Sequence, residues 1–229
     1  MPRKGKKENK GTAPKGNEMK NGLLIESVSL GMMAEADRAL REGADVNARN
    51  SKGATPLHIA VARHFEDTAR MLIEKGADAN VKDDLGITPL NLAAYNGDNG
   101  IANALLKAGA SPDVPDQNGT TPLFMAVGSG NKEMAKVLLD AGADTKRTIL
   151  DGLALMHVVA FSGEIELAKM LVDKGASINP LTKKQMDDYP ADSTPLDIAE
   201  LRGNTEVADL IKEHGGKKAK DVKGKKSKR

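Results

Sequence analysis

Apolar residues in this chain recur in short runs at helical spacing, and each run is cut off by glycine. From Glu164 to Lys174 the apolar positions are Ile165, Leu167, Ala168, Leu171 and Val172, which places them on one face of a helix. A shorter helix precedes it and ends at Gly163, where a glycine lets the chain reverse through positive φ. The second helix closes in a Gly-Ala-Asp-x-Asn type segment, a glycine C-cap followed by an Asp/Asn turn. The predicted unit is two short antiparallel helices and a turn-rich finger. Isolated helices under about 12–15 residues are marginal in water, so the units must stack to bury a core.

The unit repeats. Thr55-Pro56-Leu57-His58-Ile59-Ala60 returns as Thr88-Pro89-Leu90-Asn91-Leu92-Ala93 and as Thr121-Pro122-Leu123-Phe124-Met125-Ala126, each 33 residues on, and again at Thr194-Pro195-Leu196-Asp197-Ile198-Ala199. Gly43, Gly76, Gly109, Gly142 and Gly175 keep the same step before Gly215 after 40, and so do Gly31, His64, Gly97, Gly130, Gly163 and, after 40, Gly203. Threonine before proline is a helix start: the hydroxyl accepts from a free N–H, and proline at the first helical position has no N–H to leave unsatisfied.

Thr-Pro-Leu-His-x-Ala, the paired glycines and the Gly-Ala-Asp finger resemble the ankyrin repeat over residues 21 to 216. The resemblance implies an all-α solenoid of about six helix-turn-helix units with turn or β-hairpin fingers, in which fingers and first helices line a concave side. The units fall near 21–49, 50–82, 83–115, 116–148, 149–188 and 189–216. The first lacks the motif, and Glu26, Glu35 and Arg38 predict a polar outer face suited to an N-terminal cap. In the fifth, Ala154-Leu155 replaces Thr-Pro, which predicts a weaker helix start. His64 in a glycine position predicts strain, and the finger from Gly175 to Thr194 carries seven extra residues.

Charge divides the chain further. Residues 1–20 carry seven Lys/Arg against Glu8 and Glu18, and residues 215–229 carry eight against Asp221, leaving 19 basic and 29 acidic side chains between them. With almost no apolar residue to repay about 1–2 kcal/mol of backbone entropy per ordered residue, residues 1–20 and 217–229 are expected to be disordered tails. Such tails admit weak, non-specific binding of nucleic acid or an anionic surface, and they define a second reading, a tail-driven adaptor. Cysteine is absent, which removes thiolate metal sites and a cysteine nucleophile and fits a cytoplasmic, or in a eukaryote nuclear, setting. No run approaches the roughly 20 apolar residues of a membrane span, and the chain is expected to be monomeric.

Chemistry is sparse. His58 and His157 occupy the motif's histidine position, where the imidazole bonds to backbone; His64 and His214 have no carboxylate partner at metal-ligand spacing. Asp83-Asp84, Asn118-Gly119 and Asp151-Gly152 have the composition of finger-tip turns. Neither a cofactor nor a metal is expected, and the chain is read as non-enzymatic, its partner another protein. By the resemblance, contacts come from finger tips and the ends of first helices: Arg63, Asp84, Leu85, Ile87, Tyr95, Asn96, Leu153 and Phe161, with Leu150 beside them. Tyr95, Phe161 and Arg63 are anchor-type residues, while Leu85, Ile87, Leu150 and Leu153 predict a sticky patch. The long finger from Lys183 to Tyr189 is expected to form a side wall.

Overall fold

A computed structural model describes residues 15–149, 151–185 and 191–224. Two compact units divide the chain, Met1–Ala77 and Asp78–Arg229. The first holds α1 (Lys15–Ser29), α2 (Met33–Arg41), α3 (Pro56–Ala62) and α4 (Glu66–Glu74). The second holds α5 (Pro89–Asn96), α6 (Asn99–Lys107), α7 (Pro122–Gly128), α8 (Lys132–Asp140), the strands β1 (Thr148–Ile149) and β2 (Leu153–Ala154), α9 (Leu155–Ser162), α10 (Ile165–Asp173), α11 (Pro195–Arg202), α12 (Thr205–Glu213) and α13 (Ala219–Lys223).

In the first unit α1 packs on α2 and α3, and α3 packs on α4. Its core is Leu24, Val28, Ala36, Ala39, Leu57, Ala60, Val61, Ala69 and Leu72, all at most 1% exposed. The small alanines let short helices approach closely. The Thr55 N–H donates to His58 Nδ1 (3.2 Å), so the motif histidine caps the start of its own helix. His64 stands in a left-handed backbone conformation, φ 59°, as its glycine register predicts.

The first helix pair departs from expectation twice. α1 begins at Lys15, so residues 15–20, read as tail, are helical; residues 1–14 lie outside the described residues. Apolar and polar residues are spread around α1 without a periodic face, so the sequence carries no helical signal there. Glu26, Glu35 and Arg38 are exposed as predicted. The same helices and the turn between them, however, also expose Met19, Leu23, Leu30, Met32 and Met33, the first at 80%.

In the second unit, first helices pack side by side (α5 on α7, α7 on α9, α9 on α11), and second helices do the same (α6 on α8, α8 on α10, α10 on α12). Between the two layers lie Leu90, Ile101, Leu105, Leu123, Met134, Leu138, Leu155, Leu167 and Leu171, each at most 2% exposed. Thr88, Thr121 and Thr194 cap α5, α7 and α11 by accepting from the backbone N–H three residues on. Fingers are tied along the chain by one recurrent bond. The Asn80 amide donates to the Gly109 carbonyl (2.9 Å) and accepts from the Ser111 N–H (2.8 Å), and Asp113 accepts from the Asp144 N–H (2.8 Å).

The fifth helix pair lacks a hydroxyl cap, as its Ala154 predicts. Two contacts replace it. β1 pairs antiparallel with β2, Thr148 opposite Ala154 and Ile149 opposite Leu153. The Ala154 N–H donates to His157 Nδ1 (3.0 Å), so the imidazole proton resides on Nε2, which meets the Ser193 carbonyl at 3.1 Å. The long finger is thereby held at its base, where Thr182 is fully buried and exchanges bonds with Asp192 and Ser193. Residues 186–190 of that finger, and Leu150, lie outside the described residues.

Residues 219–223 also form a helix, α13, in a segment read as tail, and polar contacts tie it to the second unit: Lys218 reaches Glu200 at 2.7 Å, Lys223 reaches Asp192 at 2.9 Å, and the Ala219 N–H donates to Asp197 at 2.9 Å. Residues 225–229 lie outside the described residues.

Candidate protein-binding surface

The finger between α4 and α5 turns at Asp83, whose carboxylate accepts from the Leu85 and Ile87 N–H groups, both at 2.9 Å. Asp116 closes the next finger in the same way, accepting from Asn118 and Thr120 at 2.8 Å. A side chain that orders its own turn is the short-range signature of an Asx turn, and both aspartates are structural in that sense. The two tips are joined: Gln117 donates through its amide to the Asp84 carbonyl and through its backbone N–H to that of Leu85 (3.3 Å), and Lys82 Nζ meets the Pro115 carbonyl at 3.2 Å.

These joined tips and the first helices behind them enclose an open cavity of about 360 Å³, lined by Ile87, Asn91, Leu92, Tyr95, Asp116 and Met125. Asn91 is fixed there, accepting from the Thr88 N–H (2.9 Å) and donating to the Val114 carbonyl (3.2 Å). Tyr95, at the end of α5, is 77% exposed, and Leu85 on the adjoining tip is 59% exposed. A large ring and a leucine held open to water beside an apolar cleft are what a docking partner would cover.

The expected contact residues divide. Ile87 and Tyr95 line the cavity together. Asp84 and Leu85 sit exposed on its tip, and Asn96, half-buried, donates to Asp98 (3.3 Å). Arg63 belongs to the first unit, exposed at the end of α3. Phe161 is half-buried and already covered, with the Arg202 guanidinium 4.1 Å from its ring centroid. Leu153 is a correction. It is 8% exposed, turned inward by the β1–β2 pairing, and is no surface residue. Lys183, Lys184 and Gln185 of the expected side wall are exposed, with Lys184 paired to Asp151 at 3.4 Å.

Sequence reasoning missed Leu92 and Met125. They occupy the x of Thr-Pro-Leu-x-x-Ala, a register that is apolar in every copy (Ile59, Leu92, Met125, Val158, Ile198) although it is not part of the motif. That recurrence was the available signal.

Among the described residues of the second unit, His157 is the one strongly perturbed titratable group. Burial holds its imidazole down to about 4, against the Ser193 and Pro180 carbonyls, which favour the protonated form. Its partners are backbone, and no nucleophile or carboxylate stands among them, so the shift reflects a structural bridge. Among the described residues no group of His, Cys, Asp and Glu is placed to hold a metal ion, and no helix is long and apolar enough to cross a membrane.

No curated protein matches the chain. The family model for ankyrin repeats (3 copies) matches residues 23–116 and, again, residues 90–182. Ankyrin repeats are generally protein–protein interaction modules and are typically non-enzymatic. The matched span covers more than half of the 229 residues and contains the helix pairs from α3 to α10 and the fingers linked through Asn80 and Asp113, and on this ground the chain belongs to the ankyrin-repeat family.

Proposed function

We propose that this chain is a non-catalytic protein-binding scaffold or adaptor, working in the cytoplasm as a monomer, and that its partner docks over the cleft between the Asp84–Leu85 and Gln117 finger tips. The observation that carries this reading is Tyr95, 77% exposed at the rim of a cavity walled by Ile87, Leu92 and Met125. Interface energy concentrates in a few aromatic or arginine anchors set in desolvated pockets, and Tyr95 has the chemistry and the setting of one. Asp84 and Asp116 place negative charge beside the apolar wall, so the favoured ligand presents an apolar side chain flanked by Lys or Arg.

The tail-driven alternative draws less support. Two of the lysines it would use, Lys218 and Lys223, are engaged with carboxylates of the same unit.

A photo-crosslinking residue placed at position 95 should capture a protein in native lysate that the same probe at exposed Lys136, on α8, does not. Tyr95→Ala should then weaken that captured protein's binding at least about tenfold, roughly 1.4 kcal/mol, with a melting temperature within a few degrees of the parent. Equal capture at both positions, or unchanged affinity, would put the partner elsewhere.

A further inference from the structure

Among the described residues the last helix pair of the stack is α11 and α12, and its copy of the motif differs from the others where a following repeat would pack. At the register of Val61, Ala94, Val127 and Ala160, each at most 1% exposed, stands Glu200, which is exposed. At the register of Asn91 and His157, whose side chains donate to carbonyls of the next finger, stands Asp197. An aspartate carboxylate only accepts. It therefore cannot make that bond, and what it meets is a donor, the Ala219 N–H at 2.9 Å.

The segment that supplies this N–H is seated as a next finger would be. Asn179 donates to the Gly215 carbonyl (3.1 Å) and accepts from the Lys217 N–H (2.7 Å), repeating the bonds of Asn80 with Gly109 and Ser111. Beyond Lys217 the resemblance to a repeat ends and charge takes over. Lys218 pairs with Glu200 (2.7 Å), Lys223 with Asp192 (2.9 Å), and Lys212 joins Glu200 from α12 (3.2 Å). The Glu200 carboxyl is held below its usual range, chiefly by hydrogen bonds from Lys218 and Lys212. Beside the strap an open cavity of about 200 Å³ remains over Ala199, Gly203, Thr205 and Ala208, rimmed by Glu200, Asp209 and Lys212.

We propose that this end face is a docking site for lysine-rich peptide segments, occupied in cis by residues 217–223 and opened to a lysine-rich segment of another protein when that strap is displaced. Its acceptors are matched to the occupant at backbone and side chain alike: Asp197 takes an N–H, and Glu200 and Asp192 take ammonium groups. The contacts are exposed ion pairs, which hold weakly and weaken with salt, so the strap is exchangeable where a packed repeat would not be. A competing cis segment lowers the apparent affinity for a trans ligand by the fraction of time the site is free. The site is separate from the Tyr95 cleft and does not depend on it.

The probe is a labelled peptide of sequence KKAKDVKG, that of residues 217–224, titrated into the full chain and read by fluorescence anisotropy. In Lys218→Glu/Lys223→Glu chain, the reversed charges should release the strap and tighten peptide binding at least about fivefold over the parent. Adding Glu200→Lys should abolish the gain, and Glu133→Gln, an exposed carboxylate on α8, should not. Equal binding by parent and released chain, or a gain that survives Glu200→Lys, would overturn the proposal. So would a released chain that melts earlier yet gains no affinity, which would make the strap an end cap only. A second readout uses the unaltered chain. Excess peptide should move the Lys217 and Ala219 amide resonances toward free-segment positions, and resonances that stay fixed while the peptide binds would equally overturn it.

Discussion

The repeat built on α7 and α8 and the one built on α9 and α10 bury the same registers of their first helices, yet those helices start by different means. α7 starts locally, with Pro122 at its first position and the Thr121 hydroxyl accepting from the Phe124 N–H. α9 has neither proline nor hydroxyl, and its start is set by the β1–β2 pairing and by an imidazole that also holds the Ser193 carbonyl, 36 residues on. A cap made within one turn is independent of its neighbours. A cap made through His157 links the fifth helix pair to the long finger of the sixth and gives that link a titration.

The largest effect should come from breaking that bridge. His157→Ala takes the imidazole acceptor from the Ala154 N–H, leaves the Ser193 carbonyl with the Thr182 N–H alone and empties the space of a fully buried ring, and should lower stability at pH 7 by roughly 2–4 kcal/mol in urea unfolding. The comparison sharpens with pH. The folded imidazole titrates near 4 and the unfolded one near 6.5, so between these values the unfolded chain binds more protons. The stability conferred by neutral His157 is therefore complete above about pH 6.5 and is lost as pH falls toward 4, by about 3 kcal/mol. The gap between parent and His157→Ala should narrow over that window, whereas parallel stability curves would show that the bridge is not the titrating element.

An intermediate effect separates two glycines of one register. Gly163 and Gly130 both lie at positive φ, 79° and 70°. A Cβ on Gly163 would stand 2.8 Å from Asn204 Oδ1, whereas on Gly130 the nearest group is the Glu164 carboxylate at 4.0 Å. Asn204 also donates to the Ala160 and Phe161 carbonyls, so it has little room to retreat. Gly130→Ala should cost about 1 kcal/mol from backbone strain alone, and Gly163→Ala about 2 or more. Equal melting temperatures for the two variants would contradict this.

The smallest effect runs in the stabilising direction. Ala154→Thr restores the hydroxyl cap at a register where Thr121 and Thr194 are buried to the same degree. It should raise stability by about 0.5–1 kcal/mol in the same urea assay. A loss would mean that the β1–β2 pairing leaves no space for the cap.

The contrast between local and distant caps also explains how far the sequence could be read. Helix pairs, their order and their buried registers follow from threonine, proline and glycine at fixed steps, because each acts within a turn of itself. Tyr95 was readable as exposed, and Ile87 as a finger-tip residue, for the same reason. Leu153 and Phe161 were not, since their burial depends on a strand pairing and on Arg202, 41 residues away. The first turns of α1, residues 15–20, escaped notice because the apolar residues of that helix have no helical period. The ordered strap escaped notice because composition weighs apolar burial and does not register that Asp197, Glu200 and Asp192 are placed to receive it.

Asp197 and Glu200 also bear on how arrays of this kind lengthen. A repeat inserted by duplication anywhere upstream meets neighbours whose next-finger register is Asn, His or Phe and whose packing register is small and apolar, and it can be accommodated. A repeat added after α12 would meet a carboxylate at each of those positions. Two residues thus act as a stop mark for growth, and moving them is the concrete step by which a designer could lengthen or shorten the array.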